Sequence, residues 1–280
     1  MRIRLDIGYD GTHFRGWARQ PGLRTVQGTL EEAVARIVGG DPRLVVAGRT
    51  DSGVHASGQV AHIDLDAAQV ARLPRRRGVA ASDPVESLAG RVRGVLGAYP
   101  DVTVTSTSRA PEGFDARFSA VWRRYEYRVA DAHTRYDPLE RLRTTTVRAR
   151  LDEQAMDAAA RSLIGLHDFA AYCKARDEAT TIRTLLEFDW HRTEAGALVA
   201  HVRADAFCHS MVRALVGACV AVGEGRIAVA DVAAIRDAGL RTSDTKVLAA
   251  RGLTLSEIGY PDDALLAARA EQTRNRRDRE

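Results

Sequence analysis

Lysine is nearly missing from this 280-residue chain. Of its 41 basic residues only Lys174 and Lys246 are lysines; the rest are arginines. An arginine excess suits phosphate binding, because the guanidinium fork matches phosphate oxygens. Coding preference produces the same excess, and alanine is abundant too. The net charge of +4 does not decide between the two, so local clusters carry the argument. Cysteine is also scarce. Cys173, Cys208 and Cys219 form no C-x-x-C pair, and an odd count without metal spacing argues against a disulfide framework or a zinc site. Three free thiols are expected, which fits a reducing compartment. No apolar run approaches the ~18–20 residues of a membrane span. Met1 to Ile7 alternates like a strand and lacks the apolar core of a signal peptide, so the expected location is the cytoplasm. There is no phosphate-binding glycine fingerprint, no nucleophile elbow, and no His/Cys/carboxylate cluster at metal spacing. An enzyme built on this chain is expected to use no metal and no visible cofactor, with side chains supplying the chemistry.

What is present centres on one polar loop, Ala47-Gly48-Arg49-Thr50-Asp51-Ser52-Gly53-Val54-His55-Ala56. An apolar run, Leu44 to Ala47, leads into it, and an alternating run, Gln59 to Leu65, leads out. The loop therefore lies between two strands. A plain hairpin needs a glycine and an Asn or Asp, not an arginine two residues before an aspartate. Asp51 is the candidate for chemistry. A carboxylate on a buried loop needs a cation to offset desolvation. Arg49 is close in sequence, and Arg213 interrupts an apolar helix. A second cluster, Trp122-Arg123-Arg124-Tyr125-Glu126-Tyr127-Arg128, interleaves aromatics with arginines. Aromatic faces stack on bases and arginine binds phosphate, so this stretch is a candidate RNA contact; an edge strand with snorkelling arginines gives the same pattern.

Periodicity places the elements. Strands are expected at 2–9, 44–47, 59–65 and 102–109, with helices from Thr25 and from Ser82, the latter residue as N-cap. That is a β-α-β-β-α-β order, as in ferredoxin-like units. Arg72-Leu73-Pro74-Arg75-Arg76-Arg77-Gly78 reads as a basic surface loop. The second half reads as strands at 123–130 and 144–148, a helix at 152–163 broken by Gly165-Leu166-His167-Asp168-Phe169, and a hairpin over 182–191 and 197–204. Helices at 208–222 and 228–238 and a strand at 253–260 follow. The fold class expected is α+β: two ferredoxin-like halves with antiparallel sheets around a central cleft. Residues 1–112 form the half bearing the Asp51 loop, 113–262 the other, and 263–280 a polar tail read as a frayed helix or disordered.

The loop from Ala47 to Val60 resembles the signature of the tRNA pseudouridine synthase A family. Four further segments resemble that family's other motifs, in order. They are Tyr9-Asp10-Gly11 through Gly16-Trp17; Phe114 to Ala120 with Arg123-Arg124-Tyr125; Gly165 to Phe169; and Phe207 to Arg213. The resemblance runs from about residue 3 to 260. It implies isomerisation of uridine to pseudouridine in the anticodon stem-loop, at tRNA positions 38 to 40, with no cofactor. It makes Asp51 the essential carboxylate, attacking C1′ or taking a proton from C2′. It makes Arg213 that carboxylate's partner and Tyr125 the ring stacked on the target base, a catalytic residue that also assists proton removal from C5. Arg49 fills the space of the flipped nucleotide. Gly48, Thr50, His55, Arg123 and Arg124 join the substrate-binding set. It also implies a homodimer carrying one tRNA across both subunits. Three departures stand out, the first being the basic insertion near Arg75. The segment Leu88 to Leu96 lacks the family's Asn and Pro, and Leu248-Ala249-Ala250-Arg251-Gly252-Leu253 lacks its proline. The rival readings are an inactive RNA-binding protein on the same fold, a cofactor-free hydrolase using Asp51 and His55, and a synthase acting on another RNA or another uridine.

Overall fold

Ile3, Leu5, Ile7 and Tyr9 alternate with polar residues and glycine, and the chain there forms strand β1 (Arg2–Tyr9) with that set buried. A period of two sends alternate side chains to opposite faces. The computed structural model describes residues 1–73, 83–98, 100–174, 180–242 and 245–275. Helix α1 (Val26–Val38) starts where the Thr25 side chain accepts the Gly28 N–H, and stops at Gly39, whose φ of 76° is left-handed. Its buried stripe is Val26, Leu30, Ala33, Val34 and Val38. There follow β2 (Leu44–Val46), β3 (His55–Asp64), α2 (Ala67–Ala71), α3 (Glu86–Leu96) and β4 (Val102–Arg109). β1 pairs antiparallel with β3 and with β4, and β2 pairs antiparallel with β3, giving the order β4-β1-β3-β2. The expected cap Ser82 and the arginines at 75–77 lie outside the described residues.

The chain continues through β5 (Trp122–Ala130), β6 (Thr145–Thr146), α4 (Glu153–Arg161), β7 (Gly165–Asp168), β8 (Ile182–Arg192) and β9 (Leu198–Ala204). The last elements are α5 (Met211–Gly223), α6 (Val229–Ala238), β10 (Leu253–Gly259) and α7 (Leu266–Asn275). β7, β8, β9 and β5 pair antiparallel in that order, and β6 adds parallel to β5. Asp152 caps α4 by accepting the Ala155 N–H at 3.0 Å. The architecture is mixed α+β with mostly antiparallel strands. Two compact units result, Met1–Val121 with Glu257–Glu280, and Trp122–Ser256.

Three local readings change. The 165–169 segment is expected only as a helix break, yet Gly165–Asp168 is a strand paired with Ile182–Leu185. The polar tail is a docked helix through Asn275. Leu266 and Ala270 are buried, Ser119 Oγ donates to the Leu266 carbonyl, and Arg274 pairs with Asp115 at 2.9 Å. Arg274 also lies over the Phe118 ring, 5.0 Å from its centroid. Only two apolar residues anchor α7, too few to signal packing in sequence. Finally, Cys173 and Cys208 are joined as a disulfide with Cα atoms 5.7 Å apart, so three free thiols is wrong. A separation of 35 residues hides such a pair from any spacing rule. Cys219 stays a buried thiol whose pKa burial pushes up to about 12.

Candidate active site

The loop between β2 and β3 is fastened to the turn that follows β1. Gly11 sits so close to Val54 that a Cβ there would lie 2.0 Å from the Val54 carbonyl oxygen. Gly16 has a φ of 89° that side chains rarely adopt and would place a Cβ 3.0 Å from the Thr50 carbonyl oxygen, and the next residue, Trp17, donates its N–H to that carbonyl at 3.0 Å. Ser52 Oγ donates to the Phe14 carbonyl at 3.2 Å. The Val54 N–H closes the turn onto the Asp51 carbonyl at 3.2 Å, with Gly53 at φ 79° in between. The glycines of the first motif thus exist for close backbone approach.

Side chains complete the fastening. The Tyr9 and Thr50 hydroxyls share a hydrogen bond of 2.8 Å. Gln59 Nε2 donates to the Tyr9 oxygen at 3.2 Å and to the Gly48 carbonyl at 2.8 Å. Burial pushes the Tyr9 hydroxyl up to about 12, and its bonds to Thr50 and Gln59 only partly oppose this, so it holds Thr50 as a neutral phenol. His55 is 6% exposed and turned inward, its Nδ1 accepting the Gly11 N–H at 3.1 Å. Asp10 Oδ1 lies 3.1 Å from the same nitrogen. Burial disfavours the Asp10 carboxylate, but hydrogen bonds from Thr12 and the nearby His55 and His13 hold its carboxyl below the ordinary value. Around this frame Arg49 is exposed, Gly48 and Asp51 are half-buried, and Thr50 is buried. Tyr9 and Gln59 carry the frame. The sequence reading names both stretches but assigns neither residue a role, because a tyrosine ending one strand and a glutamine inside another show no spacing signal.

The other expected residues lie in the second unit. Tyr125 is 9% exposed on β5, with the Phe207 ring edge-on at 5.1 Å between centroids. Arg123 Nη1 donates to the Asp205 carbonyl at 2.8 Å. Arg124 lies 3.4 Å from Glu187 and over the Trp122 ring at 5.2 Å. Every residue of α5 is buried except Arg213, which is half-buried near the N-terminal end. Arg213 Nε donates to the Leu248 carbonyl at 2.6 Å, and the Leu248 N–H donates to the Arg213 carbonyl at 3.2 Å. Gly217, one turn on, has the Lys246 carbonyl where its Cβ would be, 1.8 Å away. Lys246 and Leu248 therefore lie against α5 through their backbone groups. Ala249, in the stretch lacking the family's proline, accepts from Tyr127 at 2.7 Å. Ser210, just before α5, has φ 66°, a left-handed backbone uncommon for serine. Such outliers gather where surroundings over-determine the chain, functional sites included.

Comparison with known proteins gives the family. A model described as tRNA pseudouridine synthase matches residues 159–261. The tRNA pseudouridine synthase A of Leifsonia xyli subsp. xyli (strain CTCB07) is 61% identical over 280 residues, covering 99% of this chain and 97% of that protein. Those of Frankia casuarinae and Streptomyces avermitilis are 52% and 49% identical, each covering at least 98% of this chain and 94% of the relative. Among solved structures, a chain of the archaeal box H/ACA sRNP Nop10-Cbf5 complex shares 10% identity at a TM-score of 0.29. It covers 78% of this chain and 43% of that one, a likeness too slight to argue from. Full-length identity above half, spanning both motif-bearing units, makes this chain a member of the tRNA pseudouridine synthase A family.

Proposed function

We propose that this chain performs its family's reaction with Asp51 as the essential carboxylate. The protein is an isomerase that binds tRNA and converts uridine to pseudouridine. The N1–C1′ bond breaks, the uracil turns over, and C5 bonds to C1′; no atom is gained or lost. Asp51 attacks C1′ or removes the C2′ proton, and both routes need a carboxylate held in place before the substrate arrives. The observation that carries this reading is the frame around Asp51: the Trp17 N–H on Thr50, Tyr9 on Thr50, Gln59 on Gly48, and His55 on Gly11. Positioning of this kind removes entropy and reorganisation from the reaction step.

The remaining roles follow the motifs. Tyr125, braced by Phe207, stacks on the target base; Arg49, exposed on the loop, occupies the space the flipped nucleotide leaves. Arg213 is the carboxylate's charge partner. Arg123 and Arg124 face phosphate. Gly48, Thr50 and His55 shape the loop that meets the nucleotide. The target is the anticodon stem-loop at tRNA positions 38 to 40, and the active form is a cytoplasmic homodimer with one tRNA across both subunits. Among the described residues no helix is long and apolar enough to cross a membrane.

The test is tritium release from tRNA carrying uridine labelled at C5, with the product mapped base by base. Wild type should release tritium at positions 38 to 40. Asp51→Asn should lower the rate by about 10³-fold or more while still binding tRNA. Equal release from both proteins rejects Asp51, and release mapped elsewhere rejects the anticodon assignment.

A further inference from the structure

The face of the second unit's sheet that bears Arg124 also carries a polar cluster to which the proposed reaction gives no role. Alternation along β5, β9 and β8 buries Tyr127, Ala200, Val202, Phe188 and Trp190 on one side. It turns Glu126, His201, Asp189 and His191 to the other. His201 lies directly across from Asp189 on β8 and from Glu126 on β5. His191 is two residues beyond Asp189 and therefore on the same face. His201 Nδ1 is 3.4 Å from Asp189 Oδ1, and the two imidazole rings are 4.7 Å apart between centroids, inclined by 32°. One donor atom from each of Asp189, His191 and His201 lies within 4.8 Å of the other two. His201 and Asp189 keep 36% and 38% of their side-chain surface, and His191 is exposed.

Donors around a tetrahedral zinc ion at about 2.0–2.1 Å stand roughly 3.3 Å from one another. The three donors here, within 4.8 Å of one another, stand within about 1.5 Å of that separation. The nearby guanidiniums have carboxylate partners of their own: Arg203 and Arg124 pair with Glu187, and Arg161 pairs with Asp157 at 2.7 Å while also feeling the Asp189 charge. We infer that Asp189, His191 and His201 form a divalent transition-metal site of the zinc class. Mixed nitrogen and oxygen donors select zinc over magnesium or calcium, which prefer oxygen alone. Three protein ligands leave the fourth position to water. The ion ties β8 to β9 across the sheet; it is a structural clasp outside the isomerisation chemistry.

The test uses the full chain, purified without a histidine tag and stripped with chelator. It is titrated with Co²⁺, read by its visible absorption, and then with Zn²⁺ in competition. Wild type should bind one equivalent and lose the cobalt band to zinc. His191→Ala, His201→Ala and Asp189→Asn should each weaken binding by about tenfold or more. His133→Ala, an exposed histidine elsewhere, should bind like wild type. Zn²⁺ should also raise the melting temperature of wild type and of His133→Ala but not of the double variant H191A/H201A, whose fold is checked by circular dichroism. Absence of a cobalt band in wild type, or equal affinity in wild type and the double variant, overturns the site.

Discussion

Asp51 and Asp131 each follow a strand and sit in a turn, yet different residues are seen to fasten the two turns. Asp131 is itself the fastener. Its side chain is fully buried, and its two oxygens accept from Arg192 at 3.0 and 2.8 Å. They also take the N–H groups of Leu151 and His133 and the Thr134 hydroxyl. Burial works against this charge, but Arg192 and the surrounding N–H groups hold the carboxyl well below the usual carboxylate range. The Asp51 loop is instead fastened through the neighbours Gly48, Thr50, Ser52, Val54 and His55, and Asp51 stays half-buried. A structural carboxylate is consumed by its turn. The proposed catalytic carboxylate sits in a turn that its neighbours also fasten.

Swapping the two acids chemically should separate these roles. Asp51→Asn should cost about 10³-fold or more in rate and leave stability within about 0.5 kcal/mol. Arg192→Ala should do the reverse. Leaving Asp131 buried without its cation should cost about 3–5 kcal/mol in urea unfolding, with activity per folded molecule kept. A loss below about 1 kcal/mol would place Asp131 among surface pairs.

The pH dependence has a definite sign. A depressed folded-state pKa gives stability that is present above the unfolded value of about 3.9 and lost as pH falls through the folded value. Urea midpoints of wild type should therefore drop below about pH 4, and Asp131→Asn should flatten that part of the profile. An unchanged slope in the variant would assign acid sensitivity to other carboxylates, of which Asp64 and Asp115 are also depressed.

Smaller effects sharpen the other half of the comparison. Gly11→Ala drives a methyl against the Val54 carbonyl and should cost about 1–3 kcal/mol, with kcat falling because the Asp51 turn must shift. Tyr9→Phe removes the hydroxyl between Thr50 and Gln59 and should cost about 1 kcal/mol, measured by thermal melting. Full activity in both variants would show that the Asp51 loop is fastened mainly elsewhere.

Much of the fold was legible in the chain. Period-two runs marked β1, β4 and β9, and period-3.6 runs marked α1 and α5, because burial of one face imposes those periods. The motif loop between β2 and β3 was legible as well. The pairing of Cys173 with Cys208 was not, since it joins residues 35 apart. Nor was the docking of α7, where Arg274 meets Asp115 across 159 positions. Both depend on long-range contacts that carry no local pattern.

Local order thus settled most of the strands and helices and which loop bears Asp51. Side-chain period and backbone sterics act over a few residues and are written into neighbouring positions. Tertiary structure alone decided that His55 faces the Asp10–Gly11 turn, that Tyr9 and Gln59 hold the loop, and that Arg213 donates to the Leu248 carbonyl. It alone set His201 beside Asp189, because cross-strand register is fixed by pairing and burial over the whole sheet.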